Sequence, residues 1–377
     1  MSNLATAIGQ AEATSLGTSA TPQLPVHSYF DPVLHDAEMR HLFAQGPGYV
    51  GHELMVPEPG DYQALSWLKD AHVLVRSGES RDQLALLSNV CRHRQAIILQ
   101  GRGNTQSVVC PLHRWTYDLK GALIGAPHFP ASPCLNLRQT PLQSWNGLLF
   151  GGPRAVATDL AGLKAPEFDF SGYLFDKIEI HECAYNWKTF IEVYLEDYHV
   201  VPFHPGLGNF VSCDELNWQF GERYSVQTVG VANGLARAGT KTYERWQQAV
   251  RAYYGDKQPP HGAIWLPIYP NIMLEWYPHV LIVSTLYPRG PQQTTNVVEF
   301  YYPEDIALFE REFVEAEQAA YMETAVEDDE IALRMDAGRL ALMEQGRNEV
   351  GPYQSPLEDG MCHFHKFLRR EMSGRYE

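Results

Sequence analysis

The sequence predicts an α+β chain in which a β-rich module near the N-terminus precedes a domain built on an antiparallel sheet flanked by helices. Three observations carry this. From Gly48 to Phe150 short β-like runs are broken by Gly and Pro, and from about Trp218 to Tyr302 Val, Ile, Tyr and Trp recur between turn residues. From Pro303 to about Gln345, Leu308, Phe309, Phe313, Ala316 and Ala320 fall at helical spacing. With 377 residues, 45% of them hydrophobic, the chain is long enough for one or two sizeable cores.

The elements follow in order. Met1 to Pro25 is mostly small and polar, and the first basic residue is Arg40, so residues 1–25 are expected to be a flexible tail and not a secretory signal. Asp31-Pro32 opens a short helix reaching Gln45. His72–Arg76, Leu84–Val90, Ser107–Cys110 and Gly147–Phe150 read as strands, and Pro153 to Gly172 as a loop-rich boundary. Trp187 to Tyr198 reads as a helix stopped near Pro202, and Gly360 to Met372 as the last helix. The most apolar stretch, Ala263 to Tyr287, is interrupted by Pro267, Pro270, Glu275, Pro278 and His279, so no membrane span is expected.

Charge and cysteine usage narrow the partners. Lys plus Arg is 29 against 45 Asp plus Glu, a net −16, which argues against a broad grip on nucleic-acid phosphates or anionic membrane. Six Cys are too few for a disulfide-stapled scaffold and fit a reducing, cytoplasmic setting.

Two of those Cys sit in a pattern with chemistry. Cys91-Arg-His93 is followed, after 16 residues, by Cys110-Pro-Leu-His113. Two turns each offering one thiolate and one imidazole suit a tetrahedral zinc ion, or a [2Fe–2S] cluster with two Cys on one iron and two His on the other. Alternating Cys-x-His and Cys-x-x-His in a β-rich module is uncommon for zinc and regular for Rieske clusters. The segment His113-Arg-Trp-Thr-Tyr-Asp-Leu-Lys-Gly121 resembles the stretch directly after the second ligand loop of Rieske domains.

A second constellation lies further on. On the expected helix 187–198, Glu192, Glu196 and His199 fall at i, i+4 and i+7, and His204 follows five residues after His199. Two His and one carboxylate leave open positions on Fe(II) for O₂.

Together, Cys91-x-His93, Cys110-x-x-His113, Asn186-Trp187-Lys188 and Glu196-Asp-Tyr-His199 with His204 resemble the terminal oxygenase α subunit of Rieske non-haem iron oxygenases, from about Val26 to the C-terminus. The resemblance implies a helix-grip-like catalytic domain from residues 26–45 and 156–377, with the Rieske domain at 46–155. It implies a [2Fe–2S] cluster on Cys91, His93, Cys110 and His113, and a mononuclear Fe(II) on His199 and His204. The third ligand is implied in Glu327-Asp-Asp-Glu330, where alignment on Arg334 and Gly338 selects Asp328 over Asp329; the other acids read as a solvated helix start. Glu196 takes the place of an Asp that, in most relatives, links the Rieske His of one subunit to an iron His of the next. A Glu there is a departure shared with carnitine- and betaine-type oxygenases. A homotrimer is therefore expected, with His113 of one copy facing Glu196 and His199 of its neighbour.

The implied activity is hydroxylation of a small organic substrate with O₂ and electrons from NAD(P)H, delivered by a separate reductase or ferredoxin. Ring hydroxylation, or oxidative demethylation and monooxygenation of an amine, both fit. The alternatives are a Rieske electron carrier without oxygenase chemistry, or a structural zinc protein. Arg92, Arg94 and Arg114 are candidates for docking the donor. Cys134, Cys183, Cys213 and Cys362 are expected to be buried thiols, and His363 and His365 packing or surface residues. Trp265, Tyr269, Trp276 and Tyr277 are chiefly core residues that also suit a cation-binding pocket.

Overall fold

The computed structural model describes residues 22–69, 71–80, 83–255 and 257–376. The expected N-terminal tail lies, as far as Thr21, outside the described residues. Leu24 and Pro25 are buried, and Pro22 O accepts a 2.8 Å hydrogen bond from Arg369.

Short strands build the first half because β-branched and aliphatic residues alternate between Gly and Pro turns. A five-stranded sheet runs in the order Arg102–Asn104, Asp61–Leu65, His72–Arg76, Leu84–Ser88, Gln139–Thr140. Two three-stranded sheets accompany it, one of them Val108–Val109, Thr116–Tyr117 and Leu123–Gly125. Alternation along His72–Arg76 sends Val73 and Val75 towards Trp115 and Tyr117 beneath the Cys-His loops. Leu74 points the other way and packs with Val297, Ile178 and Tyr287 of the second sheet.

That second sheet has seven antiparallel strands in the order Tyr173–Cys183, Gln293–Pro303, Val280–Gly290, Ile272–Tyr277, Ala263–Ile268, Ser225–Val231, Val211–Phe220. One face, with Leu266, Leu274 and Tyr301, is covered by Tyr49, Phe150 and Phe168. The other, with Trp265, Tyr277 and Phe300, takes the helices Lys241–Tyr254 and Arg311–Glu344 through Trp246, Phe313 and Ala320. Both faces of the central strands are thereby buried, which is why their sequence runs apolar almost without alternation.

Several expectations change. The stretch read as pure sheet contains the helix Lys241–Tyr254, opened by Thr240, whose hydroxyl accepts from Tyr243 N. The region from Pro303 is two helices, because Glu310 leaves helical geometry (φ −119°, ψ 57°), and Leu308 and Phe309 are exposed. Cys134 is exposed, whereas Cys183 is buried. Among the described residues no helix is long and apolar enough to cross a membrane.

Candidate metal centres and the cavity beside them

The two Cys-His loops have the same backbone. Cys91 O accepts from Gln95 N and Cys91 N donates to Ala96 O; Cys110 O accepts from Arg114 N and Cys110 N donates to Trp115 O. Gln95 and Arg114 occupy the same left-handed corner, at φ 56° and 59°. Both Cys are buried, the His93 and His113 rings stand 4.7 Å apart, and His93 stacks on Trp115. His93 Nδ1 is buried without a hydrogen-bond partner, as a ligand nitrogen would be. Tyr117, whose oxygen accepts from Arg92 N, lies 3.6 Å from Cys91 Sγ. Burial pushes the Cys91 thiol up, but hydrogen bonds from His93 N–H, Tyr117 and Cys110 outweigh it and the net shift is down.

The donor spacing separates the two metals left open by the sequence. A single zinc ion, with bonds of about 2.0–2.3 Å, needs its donors within about 4 Å of one another. Among the described residues, the donor triplets that converge within 4.8 Å are His181, Cys183, Asp329 and His199, His204, Asp328, and neither draws on these four residues. The wider spread suits a two-iron cluster seated between the loops.

The second centre forms where a broken helix meets the middle of a long one. The helix Trp187–Tyr194 stops at Leu195, and His199 and His204 then flank the short helix Val200–Phe203. Glu192, Glu196 and His199 therefore do not share a helical face. Glu192 is instead buried with His365 Nε2 at 2.8 Å, Tyr29 OH and Arg339. Burial pushes its carboxyl up, but the Arg339 guanidinium with His365 and the Tyr29 hydroxyl together outweigh this and hold it down at about 2. Glu196 carboxylate caps the next turn, accepting from His199 N at 3.0 Å. Gly206 lets the helix Lys241–Tyr254 approach His204, since a Cβ there would meet the Tyr243 ring at 2.1 Å.

Asp328 comes from mid-helix in Arg311–Glu344, not from a helix start, so the dipole reading of that acidic run fails. Its Oδ1 lies 3.0 Å from His204 Nε2 and 3.5 Å from His199 Nε2. That oxygen is buried and has hydrogen-bonding geometry towards neither ring, as expected of donors aimed at a shared point. The opposite ring nitrogens also face carboxylates: His204 Nδ1 is hydrogen-bonded to Glu327 at 2.7 Å, and His199 Nδ1 lies 2.5 Å from Glu196, an ion-pair contact without hydrogen-bonding geometry. Carboxylates on Nδ1 leave Nε2 of both rings for a metal. Burial pushes His199 down, but Asp328 and Glu196 outweigh it and bring it up to about 10. His204 is raised and Asp328 lowered by the same mutual pairing against burial. The three residues fit a mononuclear iron.

Asp329 faces elsewhere, 2.8 Å from His181 Nε2 and 2.6 Å from Tyr185 OH. Cys183 lies in the same cluster, and burial pushes its thiol up to about 12, which leaves it protonated. His363 and His365 are packing residues, bonded to Tyr269 and to Tyr353 with Glu192.

Beside His199, His204 and Asp328 opens a cavity walled by aromatic rings, among them Tyr194, Trp246, Trp265, Tyr277 and Tyr321. Of the four aromatics weighed for a pocket, Trp265 and Tyr277 line it, while Tyr269 and Trp276 pack into other clusters. Five carboxylates, Glu196, Asp197, Glu275, Glu317 and Asp328, line it with no Lys or Arg. Sequence reasoning missed Asp197, Glu275, Glu317 and Glu327. The available signal was Glu275 itself, an acid inside the otherwise uncharged strand Ile272–Tyr277.

Comparison with known proteins agrees. Residues 170–374 match the family model of the ring hydroxylating alpha subunit (catalytic domain), and residues 47–144 that of the Rieske [2Fe-2S] domain. The chain is 64% identical to a putrescine 2-hydroxylase of Ralstonia nicotianae, covering 99% of this chain and 100% of the relative. It is 54% identical to a putrescine 2-hydroxylase of Bordetella bronchiseptica, covering 94% and 85%. The fold resembles that of a quaternary ammonium Rieske monooxygenase at TM-score 0.76 and 18% identity, covering 94% of this chain and 97% of that one.

Proposed function

The chain belongs to the Rieske oxygenase α-subunit family, O₂-incorporating oxidoreductases, and from that premise we propose that it hydroxylates a short aliphatic amine, putrescine or a close analogue. The observation that carries this reading is the full-length likeness to putrescine 2-hydroxylase at 64% identity. The cavity supports it: five carboxylates without a Lys or Arg favour a cationic ligand over a neutral arene.

In this reading residues 46–155 form the electron-carrying domain, and 26–45 with 156–377 the catalytic one. Cys91, His93, Cys110 and His113 hold the cluster, and His199, His204 and Asp328 hold the iron. When bound, the cluster supplies single electrons and the iron the site of O₂ activation. The protein's own part is positioning. Glu327 fixes the His204 imidazole by a hydrogen bond and Glu196 lies against His199 as its ion-pair partner, and the aromatic wall excludes bulk water from the substrate carbon.

The electrons come from NAD(P)H through a separate reductase or ferredoxin, in the cytoplasm. The reading includes a homotrimer in which the exposed His113 of one copy meets Glu196 of the next; Leu112 beside the first, and Tyr198 and Val201 beside the second, are exposed apolar residues suited to that contact. Turnover of the holoprotein with a surrogate reductase, NADH and ¹⁸O₂ tests the function. Putrescine should gain one labelled oxygen, with choline, carnitine and benzoate unchanged. Oxidation of benzoate with putrescine untouched would overturn the assignment.

A further inference from the structure

Glu275 and Glu317 are buried acids that the metal chemistry does not use. Glu275, 3% exposed, sits in the central strand Ile272–Tyr277 and accepts hydrogen bonds from Tyr277 OH (3.1 Å) and Tyr321 OH (3.2 Å). Glu317, 1% exposed, lies on the long helix and accepts from Tyr302 OH. Among the described residues neither forms an ion pair with Lys, Arg or His, and both line the cavity. A third lining acid, Asp197, is 3% exposed, and its Oδ2 has no partner.

Desolvated carboxylates are costly unless something neutralises them. Burial pushes Glu275 up to about 8 against its two phenol donors, with Asp328 adding to the rise. Glu317 is likewise brought to about 8 by burial, helped by Glu275 and Asp176 and opposed by Tyr302 and Lys177. The acids thus stand together in a cavity that no Lys or Arg lines, its imidazoles being paired with Glu196, Glu327, Asp328 and Asp329. That arrangement suits a ligand that brings positive charge.

The acids also lie at two ends. Asp197 is in the turn that carries His199, whereas Glu317 precedes Asp328 by eleven residues on one helix, a rise of about 16 Å. An extended four-carbon diamine places its nitrogens about 6 Å apart, and a contact of about 2.8 Å at each end makes about 12 Å between the two carboxylate oxygens it joins.

We propose that Glu275 and Glu317 together receive the ammonium group of an α,ω-diamine remote from the metal, and Asp197 the near one, so that the cavity selects a diammonium chain. This rests on the amine reading above and deepens it by naming the residues that set selectivity. It fits oxidation at a carbon next to the aminomethyl end, because that carbon lies within two bonds of the ammonium held beside His199. Tyr277, Tyr321 and Trp246 line the same cavity, and rings there favour a cation over a neutral end.

Calorimetric titration of the holoprotein with 1,4-diaminobutane and with n-butylamine tests this, using wild type and Glu275→Gln, Glu317→Gln and the double variant. The wild type should bind the diamine at least about tenfold more tightly than the monoamine. Each single variant should lose about tenfold or more in diamine affinity, while the melting temperature of the ligand-free protein holds, because Gln still accepts from the phenol donors. Unchanged diamine affinity in the variants, or a falling melting temperature that accounts for its loss, would overturn the proposal. If the double variant does not fold, the wild-type comparison alone still decides, since equal affinities for diamine and monoamine rule it out. Tight, Glu-dependent diamine binding without oxidation would leave this inference standing and remove the hydroxylase reading. Oxidation of diamine by variants with wild-type affinity would do the reverse.

Discussion

Asp328 and Asp329 are neighbours on one helix yet face different histidines: Asp328 Oδ1 lies 3.0 Å from His204 Nε2, and Asp329 Oδ2 lies 2.8 Å from His181 Nε2. Successive helical residues point about 100° apart, so only one of the pair reaches the His199–His204 corner. The other ties the edge strand Tyr173–Cys183 to the helix and holds Tyr185 against the cavity.

Iron content should separate the two. Asp328→Ala is expected to lower bound iron from about three per chain to the cluster's own two, with turnover lost by more than about a hundredfold and the cluster's visible spectrum intact. Asp329→Ala should keep its iron. Elemental analysis of both variants, read beside their spectra, checks this.

Glu327 contacts no substrate in this reading, yet its carboxylate orients His204 from Nδ1. Glu327→Ala should weaken iron retention about 10–100-fold, while Glu327→Gln, which keeps an acceptor, should lose less. Competition with a chelator followed over time measures it. Equal loss from the two variants would point to charge, not ring orientation, as the contribution.

Buried Glu192 links Tyr29, Arg339 and His365. Its carboxyl is held at about 2, below an unfolded value of about 4.3. The stability it contributes is therefore complete above about pH 4.3 and is lost as pH falls towards 2. Burial lowers His365 despite Glu192, so protonating it on acidification below about 6.5 also opposes folding. Glu192→Ala should cost about 3 kcal/mol at pH 7, because buried Arg339 keeps only Asp336 as a carboxylate partner and Tyr29 and His365 lose their acceptor. Its stability should then fall less steeply with acid between about pH 4.3 and 2. Urea melts across that range give both quantities.

Arg94 and Arg114 are exposed and Arg92 half-buried around the Cys-His loops, on a chain whose net charge is −16. Reversing these three to Glu should slow reduction by an acidic donor about tenfold or more, and more at low salt, without altering amine affinity. Stopped-flow reduction at two ionic strengths tests it; an unchanged rate would remove these residues from the docking surface.

The sequence by itself determined what is local. Cys91 with His93, Cys110 with His113, and His199 with His204 each sit within one turn or two, so spacing alone exposes them. The sheet and the last helix were legible because burial imposes periodicity on side chains. Thr240 and the apolar spacing of Tyr243, Trp246 and Val250 also marked a helix, which the surrounding β-rich texture obscured. Only the tertiary structure decided the rest. The 187–198 stretch leaves helical geometry at Leu195, which no local signal marked, and whether Asp328 or Asp329 meets the histidines depended on how the long helix is rotated against them. Glu275 and Glu317 gain their character only when sheet and helix close over them, because what a carboxylate does is set by the water and charge around it, and its chain neighbours do not encode those.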